Sequence, residues 1–449
     1  MTDMFWAPLE RTDGSYNIAE PSFLVLLPKL LVTIVVLMIV VDGALQQLEM
    51  AITGGSLPFA PKPHVLLILG LGSMLLLKGR FQSSALLPLT LLLLAYFILE
   101  VLFLHFYKEL SFKSVRLSLE YLLLLVIAAA ASVVPLQLKA RHVLACLVVI
   151  TFASLIVSAA QFLTNLPVVP TESADHTFQV EAYQFLGRTR AFSLCGSALQ
   201  AGIFYSFMGA VATSFCLQPG GRKFGLFLLP LCAFGCYATY TRLVMFGFIL
   251  ATIAVFAMSR KGLARFSLLL PILSLGCAVL LVAQGIRTAG GAGRNDLANS
   301  SSLDQRVLDW AMYSKKFLVG SPVDILFGTG IGSYAPYTMP DRPENAAPVP
   351  VDNTYLIILL STGICGLVFL GVAYWHFWTF LHKRALSSKS PLFIGITGMF
   401  ATVPFLGSIS DPPTQVILLL LLAVSLEEGD DVMSVSVPST STEPYLTVA

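Results

Sequence analysis

Apolar runs follow one another along most of the chain, separated by short polar breaks. A helix that crosses a bilayer needs about 20 mostly apolar residues. Twelve runs meet or approach that length: 23–42, 64–78, 84–105, 117–136, 142–163, 191–216, 223–240, 243–259, 265–285, 354–381, 391–409 and 413–426. Prolines inside them, such as Pro88, Pro230 and Pro271, are tolerated in a bilayer where neighbouring helices satisfy the freed backbone. Two breaks are long, 164–190 and 286–352. The second is the main polar interruption. It opens with Ile286-Arg-Thr-Ala-Gly-Gly-Ala-Gly-Arg-Asn-Asp, continues through an amphipathic piece from Ser302 to Phe317, and passes the glycines Gly328-Thr-Gly-Ile-Gly. A Pro-rich span from Pro336 to Pro350 leads to Val351-Asp-Asn-Thr-Tyr-Leu, where the next apolar run begins.

The pattern predicts an all-α polytopic membrane protein of about 12 transmembrane helices with one long loop. Its expected divisions are an N-terminus at 1–22, helices one to nine within 23–285, the loop at 286–352, helices ten to twelve within 353–426, and a disordered tail at 427–449. The acidic, Ser/Thr-rich composition of that tail cannot bury a core. Composition agrees: 56% of the 449 residues are hydrophobic and 12% are charged, against roughly 25% charged in soluble domains. A net charge of +2 without a basic run points away from nucleic acid. The seven cysteines lie in or beside apolar runs; Cys232 and Cys236, four apart, read as small packing residues.

Basic residues set the expected orientation. Lys78/Arg80, Lys139/Arg141, Arg222/Lys223, Arg260/Lys261/Arg265 and Lys383/Arg384/Lys389 form clusters in alternate short loops. Placing these in the cytoplasm puts both termini inside and both long breaks on the outer face. Lys108, Lys113 and Arg116 on the outer side run against the pattern.

Charged residues at the ends of spanning segments are functional candidates. Arg188 and Arg190 precede the run that begins Ala191-Phe-Ser-Leu-Cys-Gly, Arg242 lies in a tight turn, and Arg306 stands four residues before Trp310. Singly, each reads as an anchor snorkelling to headgroups. Four on one face also read as an anion site, because guanidinium forks grip phosphate bidentately and stay charged. Asp352 and Asn353, at the mouth of the tenth run, are either a helix cap or a general base with its neighbour. Glu100 and Glu120 fall in apolar stretches, and His176 lacks metal-ligand company. Tyr334, Tyr337 and Tyr355 are candidates for stacking on sugar rings. Gly328-Thr-Gly-Ile-Gly is only superficially like a nucleotide fingerprint, since no strand precedes it.

In this order the pieces resemble the O-antigen ligase/polymerase superfamily of bacterial inner-membrane proteins, over roughly residues 185 to 370. The resemblance is carried by Gly187-Arg-Thr-Arg-Ala-Phe-Ser, Thr241-Arg-Leu, Gln305-Arg-Val-Leu-Asp-Trp, Phe327-Gly-Thr-Gly-Ile-Gly, and Asp352-Asn-Thr-Tyr-Leu with Gly363 and Gly366 downstream. Asp352 stands where ligases characteristically carry histidine, and in this it is more similar to Wzy-type exopolysaccharide polymerases. The resemblance implies a GT-C-like membrane glycosyltransferase, with both termini cytoplasmic. It would join polyprenyl-diphosphate-linked oligosaccharide repeats, as donor and acceptor, at the periplasmic face, with inversion. It further implies no cofactor and no metal, with membrane lipid and a chain-length regulator as candidate partners. Arg188, Arg190, Arg242 and Arg306 would hold the diphosphate, with Asp352 and Asn353 as catalytic candidates. Transfer of finished glycan to another acceptor, as by a ligase, is the alternative within the class. A transporter or flippase of lipid-linked sugars is the alternative outside it, and would place its charges near the bilayer midplane.

Overall fold

The computed structural model describes scattered helical residues between 88 and 102, then residues 140–165, 184–185, 188–195, 198–260, 262–273, 276, 280, 302–330, 354–387 and 390–402. These are helical apart from turns and one minimal antiparallel pair. The helices are α1 (Ala140–Thr164), α2 (Ala198–Leu217), α3 (Arg222–Ala238) and α4 (Arg242–Ser259), then α5 (Ala264–Leu273). They continue as α6 (Ser302–Leu318), α7 (Pro322–Phe327), α8 (Thr354–Ser387) and α9 (Pro391–Phe400). Strands β1 (Gln184–Phe185) and β2 (Arg188–Thr189) pair with Phe185 opposite Arg188.

Among the described residues, three helical stretches are long and apolar enough to cross a membrane: Leu144–Thr164, Ala198–Leu217 and Ile358–Ser387. Shorter apolar helices are Leu243–Ser259, Ala264–Leu273 and Pro391–Phe400. The protein is therefore a helical membrane protein. The expected runs at 23–42, 64–78, 117–136 and 413–426, the Pro-rich span and the tail lie outside the described residues.

Helix α2 is the axis of the bundle. Its residues from Ala201 to Ser214 are continuously buried, with α3, α4 and α9 packed around it and α1 alongside. Helix–helix association in lipid depends on close backbone approach at small residues, and two glycines show how it is reached. A Cβ on Gly209 would overlap the Phe248 ring, and one on Gly235 would overlap the Tyr205 ring. The face turned away from α2 carries bulky apolar side chains such as Val149, Ile156, Phe227, Phe246 and Ile249, all exposed, as a lipid-facing surface requires. Cys232 and Cys236 are buried free thiols in this core, and Cys236 Sγ lies 3.6 Å from the Gly202 carbonyl.

Two features depart from the apolar pattern. The run that sequence starts at Ala191 becomes helical only at Ala198. The N–H groups of Phe192 and Ser193 donate to the side chain of Gln161 instead of to helical carbonyls, and Ser193 sits at φ 57°. Both facts exclude a helical turn there. The second departure is in α8, where Gly363 takes φ 66°, ψ −169° and breaks the helix into two.

Candidate functional site at one end of the bundle

The end of α1, the segment before α2 and the turn between α3 and α4 are sewn together by hydrogen bonds. Asn165, just past α1 at φ 55°, accepts from the Thr189 N–H through its side-chain oxygen at 2.7 Å. Its backbone carbonyl accepts from the Thr189 hydroxyl at 2.8 Å. The Ala191 N–H donates to the Ala238 carbonyl at 3.0 Å, which ties the segment to the end of α3. Gln161 Oε1 accepts from Phe192 N–H at 3.1 Å and from Ser193 N–H at 3.0 Å. The Ser193 hydroxyl donates to the Ser154 carbonyl at 2.7 Å, and it receives the Tyr205 hydroxyl at 3.1 Å. Ser158 is paired with the same tyrosine at 2.7 Å. Buried backbone polar groups in lipid must find such partners, and here the side chains of Gln161 and Asn165, in and just past α1, supply them.

This lacing decides where the arginines fall. Arg190, half-buried with its Nε shielded from solvent, is adjacent to the Ala191–Ala238 bond. Four residues beyond Ala238, Arg242 opens α4, after Tyr240 at φ 49° and Thr241 in extended conformation. The segments bearing Arg188, Arg190 and Arg242 therefore converge; Arg188 and Arg242 are placed by their backbone. Beside them Phe162, Phe234, Tyr237 and Tyr240 form a ring cluster, with Phe162 and Tyr240 stacked at a centroid distance of 6.0 Å.

Arg306 lies in α6, one turn before Trp310, and is likewise placed by its backbone. Trp310, Tyr313 and Phe317, at helical spacing, bury against Leu356 and Leu360 of α8. The amphipathic piece read from sequence thus docks on the first half of the broken helix. Asp352 and Asn353 lie outside the described residues, two and one positions before Thr354, the first residue of α8. Tyr334, Tyr337, Glu120 and His176 also lie outside the described residues, and Tyr355 is placed by its backbone. Glu100 is buried one turn after Tyr96, whose ring packs 4.6 Å from Phe369 of α8.

The break at Gly363 is held by the glycine-rich turn after α7. Ser321 caps α7 by accepting from the Asp324 N–H at 3.1 Å, and Pro322 opens the helix, a position that suits its missing N–H. The chain then leaves through Gly328 at φ 77°. The Thr329 N–H donates to the Leu360 carbonyl at 2.9 Å and the Gly330 N–H to the Ser361 carbonyl at 3.0 Å. These bonds satisfy carbonyls that the broken helix leaves open. The contact is reciprocal: a Cβ on Gly328 would overlap the Ser361 backbone, and one on Gly363 would overlap the Leu326 backbone. The resemblance to a nucleotide loop ends there, because these N–H groups are already bonded to the protein.

Both constellations occupy the same end of the bundle. Near the other end, α8 is tied to α5 by Trp378 Nε1–H donating to the Leu268 carbonyl and by Ser267 paired with His382 Nε2. Helix α5 directly follows the end of α4. The 15 residues from the break at Gly363 to Trp378 rise roughly 22 Å, which carries the break in α8 back towards the start of α4.

The sequence missed the side chains that set this geometry: Gln161, Asn165, Ser193 and Tyr205. The available signal was the polar pair Gln161 and Asn165, four apart at and just past the end of a largely apolar helix.

The fold and site define a helical membrane protein with two non-helical interruptions and basic segments gathered at one end. Residues 227–371 match the family model described as O-Antigen ligase, and this supports the O-antigen ligase/polymerase superfamily for the chain. The matched span runs from α3 into α8 and contains Arg242, Arg306, Asp352 and the Gly328–Gly363 contact, while Arg188 and Arg190 precede it. No curated protein matches the chain.

Proposed function

We propose that the protein is a membrane glycosyltransferase that polymerises polyprenyl-diphosphate-linked oligosaccharide repeats at the periplasmic face of the bacterial inner membrane. The observation that carries this reading is the Ala191–Ala238 hydrogen bond, which sets the Arg188/Arg190 segment beside the start of α4 with Arg242. In a poorly hydrated site, fixed guanidinium groups stabilise the charge that develops on a departing diphosphate. Arg190, Arg242 and Arg306, with Arg188 in support, hold the donor diphosphate in this reading. A hydroxyl of the acceptor repeat attacks the anomeric carbon of the donor. The bond from that carbon to the diphosphate oxygen breaks, and the lipid diphosphate leaves with the electron pair. Asp352 takes the hydroxyl proton or orients the hydroxyl, with Asn353 beside it. The anomeric configuration inverts in this single displacement.

The test is polymer formation from purified lipid-linked repeat in liposomes. Arg190→Gln, Arg242→Gln and Arg306→Gln should each lower the rate by about 100-fold or more, with normal membrane insertion. Normal polymerisation by all three rejects the diphosphate site. Asp352→Asn separates base from cap, since only a base needs the ionisable oxygen. The description of the matched family model favours a second reading, transfer of finished glycan to a different acceptor. A ladder of repeats on one carrier marks a polymerase, and a single transfer to a new acceptor marks a ligase.

A further inference from the structure

We infer that Gln161 of α1 is a positioning residue for Arg190, acting through its side-chain oxygen; this rests on the proposed diphosphate role of that arginine. Gln161 has no solvent exposure and sits in a helix that is otherwise apolar over most of its length. Its Oε1 receives two consecutive backbone N–H groups, from Phe192 and Ser193. Those groups would otherwise be buried without partners, because the chain there is non-helical and Ser193 is left-handed at φ 57°. Arg190 is two residues before the first of them. Its approach to the bundle is thus fixed on one side by the Ala191–Ala238 bond and on the other by Gln161.

Removing the oxygen releases two amides into an apolar interior, and the segment then rearranges to find other acceptors. The guanidinium is displaced from the place where it meets a phosphate oxygen, a misplacement that binding feels even when the fold survives. The Gln161 Nε2 has no hydrogen-bond partner among the described residues. Glutamate at this position, kept protonated by its apolar burial and assayed at about pH 6, retains an accepting carbonyl oxygen and loses no described bond, so it serves as the conservative replacement.

The experiment measures binding of farnesyl diphosphate, a short isoprenyl diphosphate, to the purified full-length protein in detergent. Gln161→Leu should weaken binding about tenfold, the scale of losing one to two buried hydrogen bonds. Gln161→Glu should bind within about threefold of the unaltered protein, since its oxygen still accepts both N–H groups. Should Gln161→Leu fail to accumulate, Gln161→Asn withdraws the oxygen by one methylene and should show the same loss. Unchanged binding by the leucine or asparagine variant overturns the inference, as does a glutamate variant as weak as the leucine one. Arg190→Gln distinguishes the two levels. If that variant binds normally, or if the unaltered protein does not bind the probe, the diphosphate site itself fails and the inference with it. Weak binding by Arg190→Gln beside normal binding by Gln161→Leu removes only the role of Gln161.

Discussion

The two interruptions at this end of the bundle are built on opposite principles. The segment before α2 is held by side chains: Asn165 and Gln161 accept its backbone N–H groups, and the Ser193 hydroxyl is held between the Ser154 carbonyl and the Tyr205 hydroxyl. The break in α8 is held largely by backbone, with Gly328 pressed on the Ser361 backbone, Gly363 pressed on the Leu326 backbone, and the Thr329 and Gly330 N–H groups bonded to Leu360 and Ser361. The first arrangement tolerates change in side-chain volume better than loss of polarity. The second is the reverse: the single Thr329 hydroxyl adds to it, but any Cβ at the crossing destroys it. The difference suits what each carries in the proposed mechanism. A polar-laced segment holds one arginine at a defined place, whereas a backbone crossing fixes the first half of α8, with the α6 helix docked on it.

Variants ordered by effect sharpen this comparison. Gly363→Val should be the most damaging, because it forces a β-branched residue to φ 66° and drives a side chain into the Leu326 backbone. Strain and overlap together should lower stability by about 4 kcal/mol, seen as loss of the monodisperse protein in detergent on heating. Mild behaviour of this variant would show that the two backbones can separate freely. Asn165→Ala should cost about 2 kcal/mol, as the Thr189 N–H loses its acceptor, and should fall mainly on the arginine segment. Tyr205→Phe removes the hydroxyl that meets both Ser158 and Ser193, and of these Ser193 keeps the Ser154 carbonyl, so its cost should be about 1.5 kcal/mol. Thr329→Val, which leaves the Thr329 N–H bond intact and removes the hydroxyl bond to the Leu360 carbonyl, should change stability least, by under about 1 kcal/mol. If Thr329→Val proved worse than Asn165→Ala, the contrast between side-chain and backbone fastening would be wrong.

Much of the bundle was legible because one-dimensional patterns report it directly. Apolar length gave α1, α3 and α4 nearly to their ends, and the start of α8 though not its break at Gly363 or its last turns to Ser387. The amphipathic piece from Ser302 to Phe317 gave α6. Charge at helix ends picked out Arg190 and Arg242, whose segments the fold brings together. These features depend on what each stretch would do alone in a bilayer, and hydropathy measures that.

The arrangement of the two interruptions was decided by the tertiary structure. Ala191 to Cys195 is apolar enough to read as the start of a helix, and it becomes a loop because Gln161 and Ser154, 31 and 39 residues earlier, offer its backbone and hydroxyl other partners. The glycines at 328 and 363 looked like separate local features. Only folding shows that each is required by the segment bearing the other, Gly328 by the Ser361 backbone and Gly363 by the Leu326 backbone, since a backbone-to-backbone contact has no side chain to announce it. Composition determined that this chain lives in a membrane. Which backbone groups are left unsatisfied by its helices, and which distant residues satisfy them, was settled in three dimensions, and that choice places the arginines.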